Sequence, residues 1–398
     1  MRKTLRKFVK LRKLIHSDII INKYKIGSKS FTRKGKMSFQ DLILFMMNMV
    51  NKTLQREIND YIKNIKKEKI KYCKSSISRA RMKISPALFA ELNRELIKDI
   101  YEDKEEIKTF KNFRIFAVDG TRLELPNMYI PKDVKQSEDI KTIYGQGSNQ
   151  HDKYAITSRT STLYDVENKI IIDGIFNSIY SSEGFMAIEH INYLVQLNKD
   201  VKAKYNDLIT YDRGYPSIGL ICHHYNKKID FLMRVKNNSF KAVTQFKNSK
   251  KTDEIIELEI TKDTLYNLQK DKQHPDLKQL TKELKIGQKI KVRAIKVMLN
   301  SGEVEVLLTS LFSQEKYKTE IFKELYFKRW GIEISYDILK NIFKVENFTG
   351  LTQIAINQDF LAIILTNNIS SLIMNDIMEE KVTLYNEQKK KKISLSIK

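Results

Sequence analysis

The spacing of apolar positions changes near residue 113. Before it, hydrophobic residues recur at helical intervals. MSFQDLILFMMNMV (37–50) carries Ser38 as an N-cap ahead of an apolar stretch, and NKTLQREINDYIKNI (51–65) is amphipathic. SSISRARMKISPALFAELNRELIKDIY (75–101) predicts two helices meeting near Pro86, whose ring forbids a continuous hydrogen-bond ladder. After residue 113 the apolar runs shorten. FRIFAVDG reads as a buried strand ending in Asp119 and Gly120. YAITSRTSTLYD (154–165) and KIIIDGIFNSI (169–179) alternate and predict a strand pair, joined by a polar turn around Glu167 and Asn168. A helix over SEGFMAIEHINYLVQL (182–197) leads to a second buried strand in DLITYDRGYPS (207–217), ending at Asp212. A third strand, DFLMRVK (230–236), follows a short helix. Strands alternating with helices predict an α/β domain. Between Lys236 and Phe312 the charged, β-prone stretches IIELEI, KIKVRAIKVML and EVEVLLTSLF predict a mostly β insertion.

The segment YFKRWGIEISYDILK (326–340) then returns to helical spacing. On one helix Tyr326, Arg329, Glu333 and Lys340 fall within an arc of roughly 60°. The apolar Phe327, Ile334, Ile338, Leu339 and Ile342 are expected to pack on the opposite side, with Trp330 against the core. Taken alone, such a polar line is an ordinary solvated face.

Composition narrows the class. The chain is 41 % hydrophobic and 30 % charged, which suits a soluble globular protein, and its net charge of +24 favours a polyanionic partner. A bias towards lysine, isoleucine and asparagine from an AT-rich genome contributes to the same excess. Cys73 and Cys222 exclude a disulfide scaffold and lack the paired spacing of a zinc site, as does the adjacent pair His223 and His224. No apolar run reaches the length of a membrane span; the nearest, FLAIILTNN (360–368), reads as a core helix. The basic, amphipathic start MRKTLRKFVKLRKLIHSD is expected to be a nucleic-acid arm rather than a transit peptide. A cytoplasmic protein with no membrane partner and a loose basic tail, NEQKKKKISLSIK (386–398), is expected. Ser78, Arg79, Arg81 and Lys83 line a helix that faces either DNA or solvent.

Two aspartates stand in similar places, each at the end of a buried strand and each closely followed by a glycine, Gly120 or Gly214, that lets the backbone turn away. On neighbouring strands their carboxylates would converge and repel unless a cation lay between them. Mg²⁺, which takes hard oxygen ligands and keeps positions open for water and phosphate, suits that role. Glu333 is the candidate third carboxylate of a two-metal site. Singly, Asp119-Gly120 and Asp212-Arg213-Gly214 read more simply as turns. The conjunction, in a basic chain, favours phosphodiester chemistry.

DGT (119–121), DRGY (212–215) and Tyr326-x2-Arg329-x3-Glu333-x6-Lys340 together resemble the signature of bacterial insertion-sequence DDE transposases, in the insertion-sequence-four branch with its Y-R-E-K helix. The resemblance extends over most of the chain, including SISRARMKISPALF and FTGLT (348–352). It implies a ribonuclease-H-like catalytic core interrupted by the β insertion, with an N-terminal helical domain. The corresponding boundaries are a DNA-binding helical region over 1–110, core over 111–238, insertion over 239–315, second core part over 316–380 and a basic tail over 381–398. It implies catalytic, metal-binding roles for Asp119, Asp212 and Glu333 with two Mg²⁺ ions, for which Mn²⁺ could substitute. Arg329 and Lys340 would contact DNA phosphates, with support from Tyr326. The implied reaction frees a 3′-OH at each element end and joins it to target DNA. The partners implied are double-stranded DNA, as terminal inverted repeats and target, and a second copy of the chain in a synaptic complex within the bacterial nucleoid. Relatives extend further, into a strongly basic C-terminal region, so a shortened copy is an expectation. Its alternatives in function are an inactive or regulatory DNA-binding copy, or a non-transposing nuclease of the same fold.

Overall fold

A computed structural model describes residues 2–32, 37–49, 52–126, 146–147, 155–202, 204–236, 238–270, 275–298 and 302–396. The chain divides into two compact units. One comprises Met1–Tyr101, Leu125–Thr142 and Ile338–Lys398; the other comprises Glu102–Glu124 and Ile143–Asp337.

The first unit is helical. Its helices are α1 (Arg2–Ile15), α2 (Asp18–Tyr24), α3 (Phe39–Met47), α4 (Leu54–Asp60), α5 (Lys74–Arg81) and α6 (Ala87–Tyr101), with a long helix over Gln353–Ser396. Ser38 caps α3 in a full capping box with Asp41, satisfying two otherwise orphaned N–H groups. The core joins Leu42, Ile43 and Phe45 of α3, Leu88, Phe89 and Leu92 of α6, and Phe360, Ile364 and Leu365 of the long helix, all buried. Arg81 does not face DNA or solvent. It is 2 % exposed and donates to Gln358 (2.8 Å), Thr349 (2.6 Å), the Ala355 carbonyl (3.0 Å) and the Asp359 carboxylate. This hub ties α5 to the FTGLT segment and the long helix.

By length and hydropathy, Gln353–Val382 is long and apolar enough to cross a membrane, contrary to the sequence expectation. It also carries buried Gln358, Asp359, Asn367 and Asn368, with Asn368 donating to Asn93 at 2.7 Å, which suits a helix packed in a protein core. The tail expected to be loose continues this helix to Ser396; the side chains of its lysine run lie outside the described residues.

The second unit is built on one mixed sheet of β1 (Phe113–Glu124), β2 (Gln146–Gly147), β3 (Ala155–Asp165), β4 (Ile170–Ser178), β5 (Asn206–Tyr211), β6 (Asp230–Val235), β7 (Asp253–Glu259), β8 (Lys289–Met298) and β9 (Val304–Thr309). The order is β2-β3-β1-β5-β6-β9-β8-β7, with β4 also paired to β3. β1, β5 and β6 run parallel; the other pairings are antiparallel. The chain returns from β4 to β5 through α7 (Glu183–Asp200), and α8 (Ile218–Lys227) is the crossover between the parallel strands β5 and β6. The segment expected to be mostly β adds β7, β8 and β9 to this same sheet. It also contains α9 (Lys241–Asn248), α10 (Lys262–Lys270) and α11 (Pro275–Glu283).

Phe113, Ile115, Leu208, Leu232, Ile295 and Leu307 form the sheet side of a buried cluster. Phe322, Leu325 and Tyr326 of α12 (Ile321–Phe327) complete it. A 3₁₀ turn over Lys328–Trp330 then leads into α13 (Gly331–Asp337). The predicted single helix over 326–340 is therefore broken, and the unit boundary falls between Asp337 and Ile338.

Candidate active site

The register of β1 against β5 brings the two aspartates together. Val118 pairs with Tyr211 at the end of the parallel ladder, so Asp119 and Asp212 are the next residues on adjacent strands. Asp212 leaves its strand into a turn closed by the Tyr215 N–H to the Asp212 carbonyl at 3.1 Å. Asp119 is not at a strand end: β1 continues to Glu124 because β3 pairs it on the other side, Asp119 opposite Thr162. The turn reading of Asp119-Gly120 is thus excluded. Gly120 serves another purpose, since a Cβ there would lie 3.3 Å from Glu183 Cγ and 3.4 Å from the Thr160 carbonyl.

The third strut is α12–α13, and it faces the opposite way from the sequence expectation. Tyr326 and Arg329 are buried at 8 % and 5 % exposure, whereas Phe327, Trp330 and Ile334 are 69 %, 53 % and 61 % exposed. The inward stripe is Phe322, Leu325, Tyr326, Arg329, Ile332 and Tyr336, a near-heptad set that takes in Tyr326 and Arg329 of the polar line. Of the apolar residues expected on the core face, Leu339 is buried, whereas Phe327, Ile334 and Ile342 are exposed. Gly331 permits the close approach of α13: a Cβ there would meet Val166 Cγ1 at 2.8 Å. Tyr336 fixes the helix to the strand by donating to the Asp119 carbonyl at 2.7 Å, while Thr162 donates to the Tyr336 hydroxyl at 3.1 Å.

Charge is concentrated where these elements meet. Tyr326 donates to Asp212 Oδ1 at 3.3 Å, and Arg234 of β6 approaches the same oxygen at 3.8 Å. Arg329 donates from Nη2 to Glu333 Oε1 at 2.7 Å, and its Nε has no partner. Burial works against the guanidinium charge, but Tyr326, the bond to Glu333 and the Asp212 charge raise its pKa above the ordinary value. Burial pushes the Asp119 carboxyl up to about 6; the Gly120 N–H bond (2.8 Å) and Arg329 oppose this, while Asp212 and Glu183 add to it. Asp119 is a desolvated carboxylate that its neighbours only partly compensate.

Asp119, Asp212, Tyr326, Arg329 and Glu333 therefore belong to one unit, the first two adjacent by register and the last two paired. Lys340 lies on a π turn over Ile338–Ile342 in the helical unit, half-buried. Glu183, Arg234 and Tyr336 belong to the neighbourhood and escaped the sequence reading. Glu183 had one available signal, its place at the first turn of a helix running back onto the sheet. The donor set is all oxygen, which fits a hard divalent cation. Among the described residues no three Asp, Glu, His or Cys side chains are close enough together to hold one ion. Glu333 is engaged by Arg329 instead.

A family model described as a transposase DDE domain matches residues 111–369. Comparison with curated proteins finds no match. Among solved structures, the cryo-EM structure of the piggyBac transposase synaptic complex with hairpin DNA is similar over 91 % of this chain and 75 % of that one, at 15 % identity and a TM-score of 0.40. That likeness is too slight to argue from.

Proposed function

The chain belongs to the family of transposases with a DDE domain, and from that premise we propose that it cuts the ends of an insertion sequence and joins the freed 3′-OH to target DNA. The observation that carries the site assignment is the juxtaposition of Asp119 and Asp212 beyond the Val118–Tyr211 pair, with Arg329 and Glu333 on the strut that closes over them. The strand order β4-β3-β1-β5-β6, in which β3 alone runs against the other four, supports a ribonuclease-H-like reading of the core. The Tyr326, Arg329, Glu333 and Lys340 spacing supports the Y-R-E-K branch.

In this reading Asp119 and Asp212 hold Mg²⁺, or Mn²⁺ in its place, with Glu333 as the third carboxylate. Bound there, the cation supplies charge for the phosphoryl oxygen and a lowered pKa for the attacking water. The chain's own residues do the rest. Arg329 presents a buried guanidinium with a free Nε, and a DNA phosphate offers the bidentate partner that one carboxylate oxygen of Glu333 does not. Capture of that phosphate releases Glu333 towards the aspartates. Tyr326 keeps Asp212 oriented throughout, and Tyr336 holds the β1 backbone at Asp119. Burial of Arg329 excludes water from the charge it offers the transition state.

The exposed cations of α1, Arg6, Arg12 and Lys13, are assigned to non-specific DNA contact, consistent with the +24 net charge. Duplex DNA is the partner and two copies of the chain bring two ends together. The test is strand cleavage of duplex DNA with Mg²⁺. Asp119→Asn, Asp212→Asn and Glu333→Gln are each expected to abolish it while retaining DNA binding. Cleavage that survives all three substitutions would remove these residues from the chemistry.

A further inference from the structure

Glu183 opens α7, next to Ser182 at the N-cap. A Cβ on Gly120 would lie 3.3 Å from its Cγ and 3.4 Å from its Oε1; a Cβ on Gly214 would lie 4.0 Å from its Oε2. Gly120 follows Asp119 directly and Gly214 follows Asp212 by two residues. The Glu183 side chain therefore lies where a side chain at Gly120 would crowd it, and its carboxylate lies in ordinary contact range of Gly214. Its cationic neighbour, Arg159, stands at 3.7 Å, beyond hydrogen-bond length, and the Glu183 side chain is 40 % exposed. An ion pair that loose and that wet does not account for the packing around it.

A second observation points to a missing occupant. The Tyr215 hydroxyl is buried, with the residue 4 % exposed, and makes no hydrogen bond. The charges of Asp119 and Glu183 both act on this phenol, and both act on the phenol of Tyr336. A buried hydroxyl left unpaired in the field of two carboxylates calls for a partner besides the protein.

We propose that Glu183 is a fourth carboxylate of the active site, placed to hold a divalent cation together with Asp119. The inference rests on the metal-dependent reading given above. It adds a ligand from α7. Because Glu333 is engaged by Arg329, Glu183 joins Asp212 as a carboxylate available to Asp119 before DNA arrives. The first cation would then enter without DNA, and release of Glu333 would complete the site.

The test is Mn²⁺ binding to the full chain, by electron paramagnetic resonance and calorimetry, with and without a DNA duplex. Glu183→Gln is expected to weaken Mn²⁺ binding about tenfold or more at an unchanged melting temperature. Glu183→Asp, with a shorter reach, is expected to fall between it and the parent. Arg159→Gln, which removes the loose ion pair and keeps the carboxylate, is expected to bind as the parent does. If Asp119→Asn loses the ion but Glu183→Gln keeps it, Glu183 is no ligand and the functional reading stands. Equal losses in Arg159→Gln and Glu183→Gln would reduce Glu183 to a structural partner of Arg159 and overturn the proposal. If Asp119→Asn binds Mn²⁺ like the parent, or the parent binds none with or without DNA, the metal-dependent reading fails and this inference with it.

Discussion

Replacing Asp119 by asparagine removes a candidate catalytic group, yet the metal-free protein is expected to become more stable. Burial raises the Asp119 carboxyl from 3.8 to about 6, with Asp212 and Glu183 adding to the effect. The folded state therefore binds this proton more tightly than the unfolded chain. Its contribution to stability is complete below pH 3.8 and is lost as pH rises through 6. A shift of just over two units corresponds to about 3 kcal/mol, reduced by solvent reaching a half-buried group to the order of 1–3 kcal/mol. Asparagine carries no charge and can still accept the Gly120 N–H, so it escapes the cost. At pH 8 in the absence of divalent cations, Asp119→Asn is expected to unfold at higher urea. At pH 5 the advantage should shrink by about half, because the folded parent has largely regained its proton. Trp330, the chain's single tryptophan, lies in the same unit and reports the transition by fluorescence. Saturating Mg²⁺ should stabilise the parent and leave the variant unchanged. An asparagine variant no more stable at pH 8, or equally favoured at both pH values, would refute the reasoning that Asp119 is an uncompensated charge.

Three further outcomes follow from the packing. Arg81→Met leaves Asp359 buried without its partner and is expected to cost about 3–5 kcal/mol, whereas Arg81→Met with Asp359→Leu should cost clearly less; denaturant unfolding of the helical unit measures both. Gly331→Ala drives a methyl to 2.8 Å from Val166 Cγ1, and calorimetry should show a loss of about 1–3 kcal/mol. Phe327→Ser with Trp330→Ser removes two exposed rings whose centroids lie 6.5 Å apart, so urea unfolding followed by circular dichroism should change by no more than about 0.5 kcal/mol.

Much of the architecture was legible because periodicity reports burial on one face. The strand pair over 155–178, the crossover helix from 183 and the Ser38 cap all occur where apolar spacing and cap chemistry place them. Asp119 was harder, since a DG dipeptide carries the same local signal in a turn and in a strand whose one neighbour stops. Only the β3 register, with Asp119 opposite Thr162, separates the two. The helix over 326–340 misled for a related reason. Binary patterning assigns arginine to solvent, but Arg329 is buried against Glu333 and Tyr326, and the exposed positions went to Phe327, Trp330 and Ile334. Arg81 inverts the same rule with Asp359, nearly three hundred residues away, a partner that no local window can reveal. Glu183 has no spacing to mark it; its significance depends on two glycines distant in sequence.

The most direct measurement uses the DNA flanking the gene, since a transposase gene lies between the ends it cuts. Mg²⁺-dependent cleavage would be mapped to single nucleotides for the parent and for Glu333→Gln. Cuts at a pair of flanking sites, absent in the variant, are predicted. Scattered cuts lost in the variant would mean a plain nuclease, and binding to the flanks without any cuts would contradict the catalytic assignment.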